Sequence, residues 1–135
     1  MQPAPATAGQ LRDLAEFAWQ QSPGHFGGAL SKVLVSRDNG AKRLDFRIST
    51  YQPGAHVESH AHPDKEQVYY FLSGTGRLEL GDQAVIVRAD SFAHIPPHLP
   101  HALENTGLGD LTFLVITVPL GFAAGQLEKR WVVSR

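Results

Sequence analysis

The chain contains no cysteine, which excludes disulfides, zinc-thiolate sites and iron–sulfur ligation as sources of stability or chemistry. It also lacks any run of 18 apolar residues, the length a membrane-crossing helix requires. Basic residues nowhere exceed a pair such as Lys42-Arg43, so neither a phosphate-tracking stripe nor a polybasic membrane anchor is present. The formal net charge of -1 supplies no field of one sign to gather nucleic acid. The start MQPAPATAGQ has neither the charged opening nor the apolar stretch of a secretory signal. The expected setting is the cytoplasm, with no nucleic acid and no membrane as partner.

What is present is the composition of an ordinary globular domain: 135 residues, 42% hydrophobic and 19% charged, enough for one core without covalent support. Residues 1–10, rich in Pro and Ala, are expected to be flexible, and residues 11–135 to form one domain. In LRDLAEFAWQQ, Leu11, Leu14, Ala15 and Ala18 fall at helical spacing until Ser22-Pro23-Gly24 ends the pattern, which predicts one short N-terminal helix. Beyond it the chain reads as short β-runs between turn residues: ALSKVLV, RLDFRISTY, QVYYFL, RLEL, AVIV, SFAHI, HALEN and LTFLVITV. The tail QLEKRWVVSR adds a last candidate strand with Trp131 and Val133. Short strands at near-regular spacing predict an all-β antiparallel sandwich or barrel.

Six of the seven histidines, His56, His60, His62, His94, His98 and His101, lie between positions 56 and 101. If His60 and His62 sit in a strand they share a face, so their imidazoles can converge on one ion. An H-x-H pair alone is weak evidence, because exposed strands carry histidines for no special reason. The surrounding spacing is stronger: Gly54, five residues, His60-x-His62, four residues, Gln67, six residues, Gly74, followed downstream by Pro96, His101 and Asn105.

In order and spacing these segments resemble the two motifs of the cupin superfamily, G-x5-H-x-H-x(3,4)-E-x6-G and G-x5-P-x-G-x2-H-x3-N. The resemblance covers Gly54 to Asn105 closely. It implies a double-stranded β-helix, a small jelly-roll barrel, with one divalent metal ion (Fe, Mn, Ni or Zn) held by His60, His62, position 67 and His101. The sequence departs from the motifs at three places. The acid position is Gln67, with Glu66 beside it; the shorter permitted gap selects Glu66, whereas strand alternation favours Gln67 and sends Glu66 to the opposite face. The two glycines of the second motif are replaced by Asp90 and His98; His98, at the barrel mouth, either lines the site or faces solvent, the latter being the commoner case for a turn histidine.

Other residues can point inward. Arg47, Ser49 and Tyr51 share one face of RLDFRISTY, and in related small cupins the position of Arg47 projects into the barrel. Tyr69 and Phe71 share parity with Gln67. His56 and Glu58 share parity with His60 and are candidates to orient the ligands. Leu114, Ile116 and Val118 are candidates for an apolar wall, so the pocket is expected to be largely apolar with a few polar groups. Arg47, Tyr69 and His94 are the candidate catalytic residues, with a core position as the alternative for His94.

Three histidines and a Gln or Glu leave two positions of an octahedral ion open. The implied functions are a metal-dependent enzyme on a small molecule (oxygenase, or decarboxylase, isomerase or lyase) and, alternatively, a non-catalytic ligand-binding barrel. A neutral ligand set favours an anionic organic ligand, with Arg47 as its second anchor. A homodimer is expected by resemblance, covered at its sheet edges by the N-terminal helix or the RWVVS tail.

Overall fold

Alternating β-formers between turn dipeptides give eleven strands among the described residues of the computed structural model, which covers residues 9–120. They are β1 (Gln20–Gln21), β2 (His25–Phe26), β3 (Ala29–Val35), β4 (Asp45–Tyr51), β5 (His56–His60), β6 (Lys65–Ser73), β7 (Gly76–Leu80), β8 (Gln83–Val87), β9 (Phe92–Ile95), β10 (His101–Asn105) and β11 (Leu111–Pro119). All pairings are antiparallel and build two sheets, ordered β1-β3-β4-β11-β6-β9 and β2-β5-β10-β7-β8. Apart from the hairpins β3–β4 and β7–β8, sequential strands alternate between the sheets, so the two wrap a common interior, the jelly-roll arrangement the motifs imply.

That interior is graded along the strands. Register sets Leu111 beside Tyr51, Phe113 beside Ser49 and Phe71, Val115 beside Arg47 and Tyr69, and Thr117 beside Asp45 and Gln67. Successive inward layers therefore pass from wholly packed to polar. At the packed end Phe71, Leu78, Leu103, Leu111 and Phe113 are at most 2% exposed. The Phe71 and Phe113 rings lie 5.2 Å apart, and Tyr51 meets Phe113 edge-on at the same spacing, geometry that adds to the burial of their area. At the polar end the inward groups border a cavity.

Asn105, the last residue of the second motif, is structural. It is 2% exposed; its side-chain amide donates to the Tyr51 and Gly109 carbonyls at 2.7 and 2.9 Å and accepts from the Gly107 N–H at 2.9 Å. One side chain thus ties the end of β4 to the turn before β11.

Two expectations change. The N-terminal helix is only a 3-10 turn, Leu14–Glu16. Leu11 is 99% and Leu14 43% exposed, so the helical spacing has no surface to bury against, and a short helix without packing is unstable. The chain leaves the turn extended and enters β1, where Gln20 pairs with Ser31. In β11 the inward face is Leu111, Phe113, Val115 and Thr117, while Ile116 and Val118 are exposed and Leu114 shares their outer parity. That strand is apolar on both faces, so alternation could not select one, and pairing with β4 and β6 decides it. The tail strand expected around Trp131 and Val133 lies outside the described residues.

Candidate metal centre

His60 ends β5, His101 opens β10, and the two are paired directly across the strands. His62 lies two residues beyond β5, in the loop leading to β6. Its convergence with His60 therefore comes from the loop, not from strand alternation. A hydrogen bond from the His98 N–H to the His62 carbonyl, 2.7 Å, fixes that loop against the turn before β10. The three rings lie 4.2 to 5.5 Å apart, and their ligand atoms all fall within 4.8 Å of one another. That span is about twice a metal–nitrogen distance of about 2.1 Å.

Two of the three rings are oriented by the backbone. His60 donates from Nδ1 to the Glu58 carbonyl at 2.7 Å, and His101 from Nδ1 to the Leu99 carbonyl at 2.9 Å. Each bond fixes the tautomer and leaves the Nε2 lone pair free, the arrangement that metal-binding histidines use. His101 is 1% exposed, and its Nε2 is a buried atom with no partner among the described residues. A second such atom is Oε1 of Gln67, whose Nε2 donates to the Thr117 hydroxyl at 3.0 Å. Both orphaned atoms are acceptors; Gln67 lines the cavity, and His101 lies behind the lining residues His60, His62 and Tyr69. A cation fits this donor set.

The alternation between Glu66 and Gln67 is resolved in space. Gln67 points inward at the Thr117 layer, whereas Glu66 lies on the outer face and pairs with His94 Nε2 at 2.9 Å. His94 is exposed, so the structure brings it neither to the histidine group nor into the core. The reason is parity: Ala93 and Ile95 take the inward positions of β9, being 7% and 2% exposed. Replacing Gln67 by Glu is expected to tighten divalent metal binding about tenfold by adding a charge beside the ion, while Glu66→Gln leaves it unchanged. Isothermal titration with Mn and Zn checks both, and metal loss in Glu66→Gln alone would reverse the assignment.

Parity also fails for His56 and Glu58. Leu103 pairs with Val57 but His101 pairs with His60, so β5 carries one extra residue, a β-bulge. The bulge turns His56 and Glu58 outward; His56 packs on Phe26 at 5.5 Å. Glu58 still serves the site, through its backbone carbonyl. His98 is exposed, as the turn reading expected. His25, to which the sequence gave no role, lines the cavity with its ring edge-on to Tyr51 at 6.3 Å.

The cavity has a volume of about 920 Å³. Its lining is more polar than expected. Ser31 and Ser49, both buried, share a hydrogen bond of 2.7 Å. Arg47 does point to the interior, but its Nε and Nη2 bind both carboxylate oxygens of Asp45 at 2.7 and 3.0 Å, and this pairing raises its pKa. The pair is neutral as a unit and leaves only part of the guanidinium for a ligand. Tyr69 lines the cavity with its ring 6.2 Å from His101. Burial pushes the Tyr69 and Tyr51 phenols well above their ordinary range, so both stay protonated at neutral pH.

Burial lowers the pKa of His101 from 6.5 to about 4, and that of His62 also falls through burial and its neighbour His60. Neutral imidazole is the ligating form. In the metal-free protein the sign follows from linkage: between 6.5 and about 4 the unfolded His101 binds a proton that the folded one resists. Stability is therefore expected to be complete above that window and to fall as pH drops through it. Denaturant melts of chelator-treated protein across the window check this, and His101→Ala should flatten the profile.

A family model described as Cupin domain matches residues 47–117, more than half of the chain. Among curated proteins the chain is 34% identical over 79 residues to mannose-1-phosphate guanylyltransferase RfbM of Salmonella typhimurium, which is 58% of this chain and 16% of that protein. It is 32% identical over 68 residues to the oxalate-binding protein of Thermotoga maritima, 50% of this chain and 56% of that protein. The chain thus spans about half or less of the length of these relatives. A crystal structure of a predicted oxalate decarboxylase from Thermotoga maritima superposes with a TM-score of 0.76 at 24% identity, covering 82% of this chain and 100% of that one, a likeness of fold.

Proposed function

Because the chain belongs to the cupin family, we propose that it binds one divalent metal ion through His60, His62 and His101, with the Gln67 amide oxygen as fourth ligand, and acts as an enzyme on a small anionic organic molecule. The observation that carries this reading is the pair of buried acceptors without partners, His101 Nε2 and Gln67 Oε1. Each unpaired buried polar atom costs about 1–3 kcal/mol, and a cation relieves both at once. When bound, the ion supplies Lewis-acid or redox chemistry at the positions these four side chains leave open.

The chain's own residues then set the ligand's character. Four neutral ligands leave the ion's charge uncompensated in a partly enclosed barrel, which favours an anionic oxygen donor. The cavity border adds to this: it carries Arg12, Arg37, Arg43, Arg47 and Lys65 against Asp38, Asp45 and Asp64. The oxalate-binding relative supports a small organic acid as ligand. Tyr69, with its ring 6.2 Å from His101, would supply a neutral hydroxyl as a hydrogen-bond donor to that ligand. Non-catalytic capture of the same acid is the second reading, favoured by the outward position of His94 and the tie of Arg47 to Asp45.

Elemental analysis of untagged protein, followed by thermal shifts with small carboxylates and hydroxy- or keto-acids against their amides and esters, tests the proposal. Stabilisation by the acids only in the metal-loaded protein is expected, and equal stabilisation by the neutral analogues sinks it. Oxygen uptake, or turnover without it, then separates an oxygenase from a decarboxylase, isomerase or lyase; neither leaves the binding reading.

A further inference from the structure

Away from the cavity, β8 ends the five-stranded sheet with no strand beyond it among the described residues. Gln83, Ala84, Val85 and Ile86 are all exposed, Val85 by 41% and Ile86 by 52%. The strand QAVIV carries neither charge nor proline, so it lacks the devices that keep sheet edges apart. The β7–β8 turn has two residues, Gly81 and Asp82, with Gly81 at φ 61. Such a turn makes Leu80 and Gln83 a hydrogen-bonded pair. Alternation then turns the N–H and C=O of Gln83, Val85 and Val87 toward β7, and those of Ala84 and Ile86 outward.

We infer that β8 pairs antiparallel with β8 of a second copy of this chain, about a two-fold axis at Val85. In that register Val85 faces Val85 of the other copy, Ala84 faces Ile86, and Asp82 faces Arg88. The outward groups of Ala84 and Ile86 exchange about four hydrogen bonds across the axis. Opposite charges meet at both ends. A shift of one residue sets outward groups against inward ones; a shift of two sets Asp82 against Ile86 or Arg88 against Ala84. Beyond this stretch the Arg88 N–H is already bound to Ser91 Oγ at 3.1 Å, which ends the free edge. Val85 lies on the face of its partner Leu78, which is 1% exposed, so the Val85 contact extends the packed side of the sheet. The occupant is thus a second copy joined edge to edge, in place of a cover by the N-terminal segment.

The absence of native cysteine makes the test direct. Residues opposite one another at such a site have Cα atoms about 4.5 Å apart, within disulfide reach. Val85→Cys in the full chain is expected to give a covalent dimer on mild oxidation, and Gln83→Cys, which faces Val87, to give none. Light scattering of the native chain should show a dimer at high micromolar concentration. Ile86→Lys should weaken it about tenfold or more with unchanged metal content and circular dichroism spectrum. Asp82→Arg should weaken it also, and adding Arg88→Asp should restore it. A monomeric native chain, or a dimer that survives Ile86→Lys without a Val85→Cys cross-link, overturns the proposal; if Ile86→Lys does not fold, the cross-link decides.

Discussion

His101→Ala is expected to yield a folded barrel whose affinity for divalent metal has fallen about 100-fold or more. His101 sits at the centre of the candidate site: its ring lies 4.2 Å from His60 and 5.5 Å from His62, and among the described residues no further histidine joins this group. The fold should survive because the lost imidazole contributes one bond, to the Leu99 carbonyl, and its removal ends the cost of burying an unpartnered nitrogen. His60→Ala and His62→Ala should behave alike, whereas His94→Ala should keep full metal. Metal content by elemental analysis and secondary structure by circular dichroism are the measurements. Stoichiometric metal in a well-folded His60→Ala, His62→Ala double variant would defeat the assignment.

The second large effect is on stability. Gly74 has φ +92, and a Cβ built there would press on the Asp110 carbonyl oxygen and come within 2.8 Å of the Leu111 Cα. Both obstacles are backbone at the start of β11, so no rotamer change relieves them. Gly74→Ala is expected to destabilise by about 3–5 kcal/mol, close to the whole stability of a small domain. Gly54, the other glycine of the same motif, has φ +84 but open space around its Cβ position. Gly54→Ala should therefore cost only the left-handed conformation, about 1–2 kcal/mol. Urea melts of the two variants separate the contributions, and equal losses would show that the contact with β11 is not what the glycine at 74 serves.

The long strands were legible because β-formers between turn residues leave a compositional trace; ALSKVLV and HALEN coincide with β3 and β10 residue for residue. β1 and β2 were not, since strands of two residues have no period to read. Alternation correctly placed Gln67 inside and Glu66 outside because β6 is regular there. It failed for His56 and Glu58 because an inserted residue in β5 leaves no mark in composition, and for Leu114, Ile116 and Val118 because both faces of β11 are apolar. The two motif glycines that the chain replaces carry a signal of another kind. Asp90 and His98 are the two non-glycine residues with positive φ among the described residues, 70 and 72 degrees. The backbone keeps the turn that the motif encodes even where its usual residue is gone. Asp90 offsets part of that strain by accepting from the Tyr70 hydroxyl at 2.9 Å.

The graded interior has a consequence for redesign. Leu111 and Thr117 are six residues apart on β11, about 20 Å along an extended strand, beyond the 7–10 Å at which substitutions cease to influence one another. Changes at Asp45, Gln67 or Thr117 should thus combine additively with repacking around Leu111. Cavity chemistry and packing at the Leu111 end can therefore be varied in separate libraries and merged afterwards.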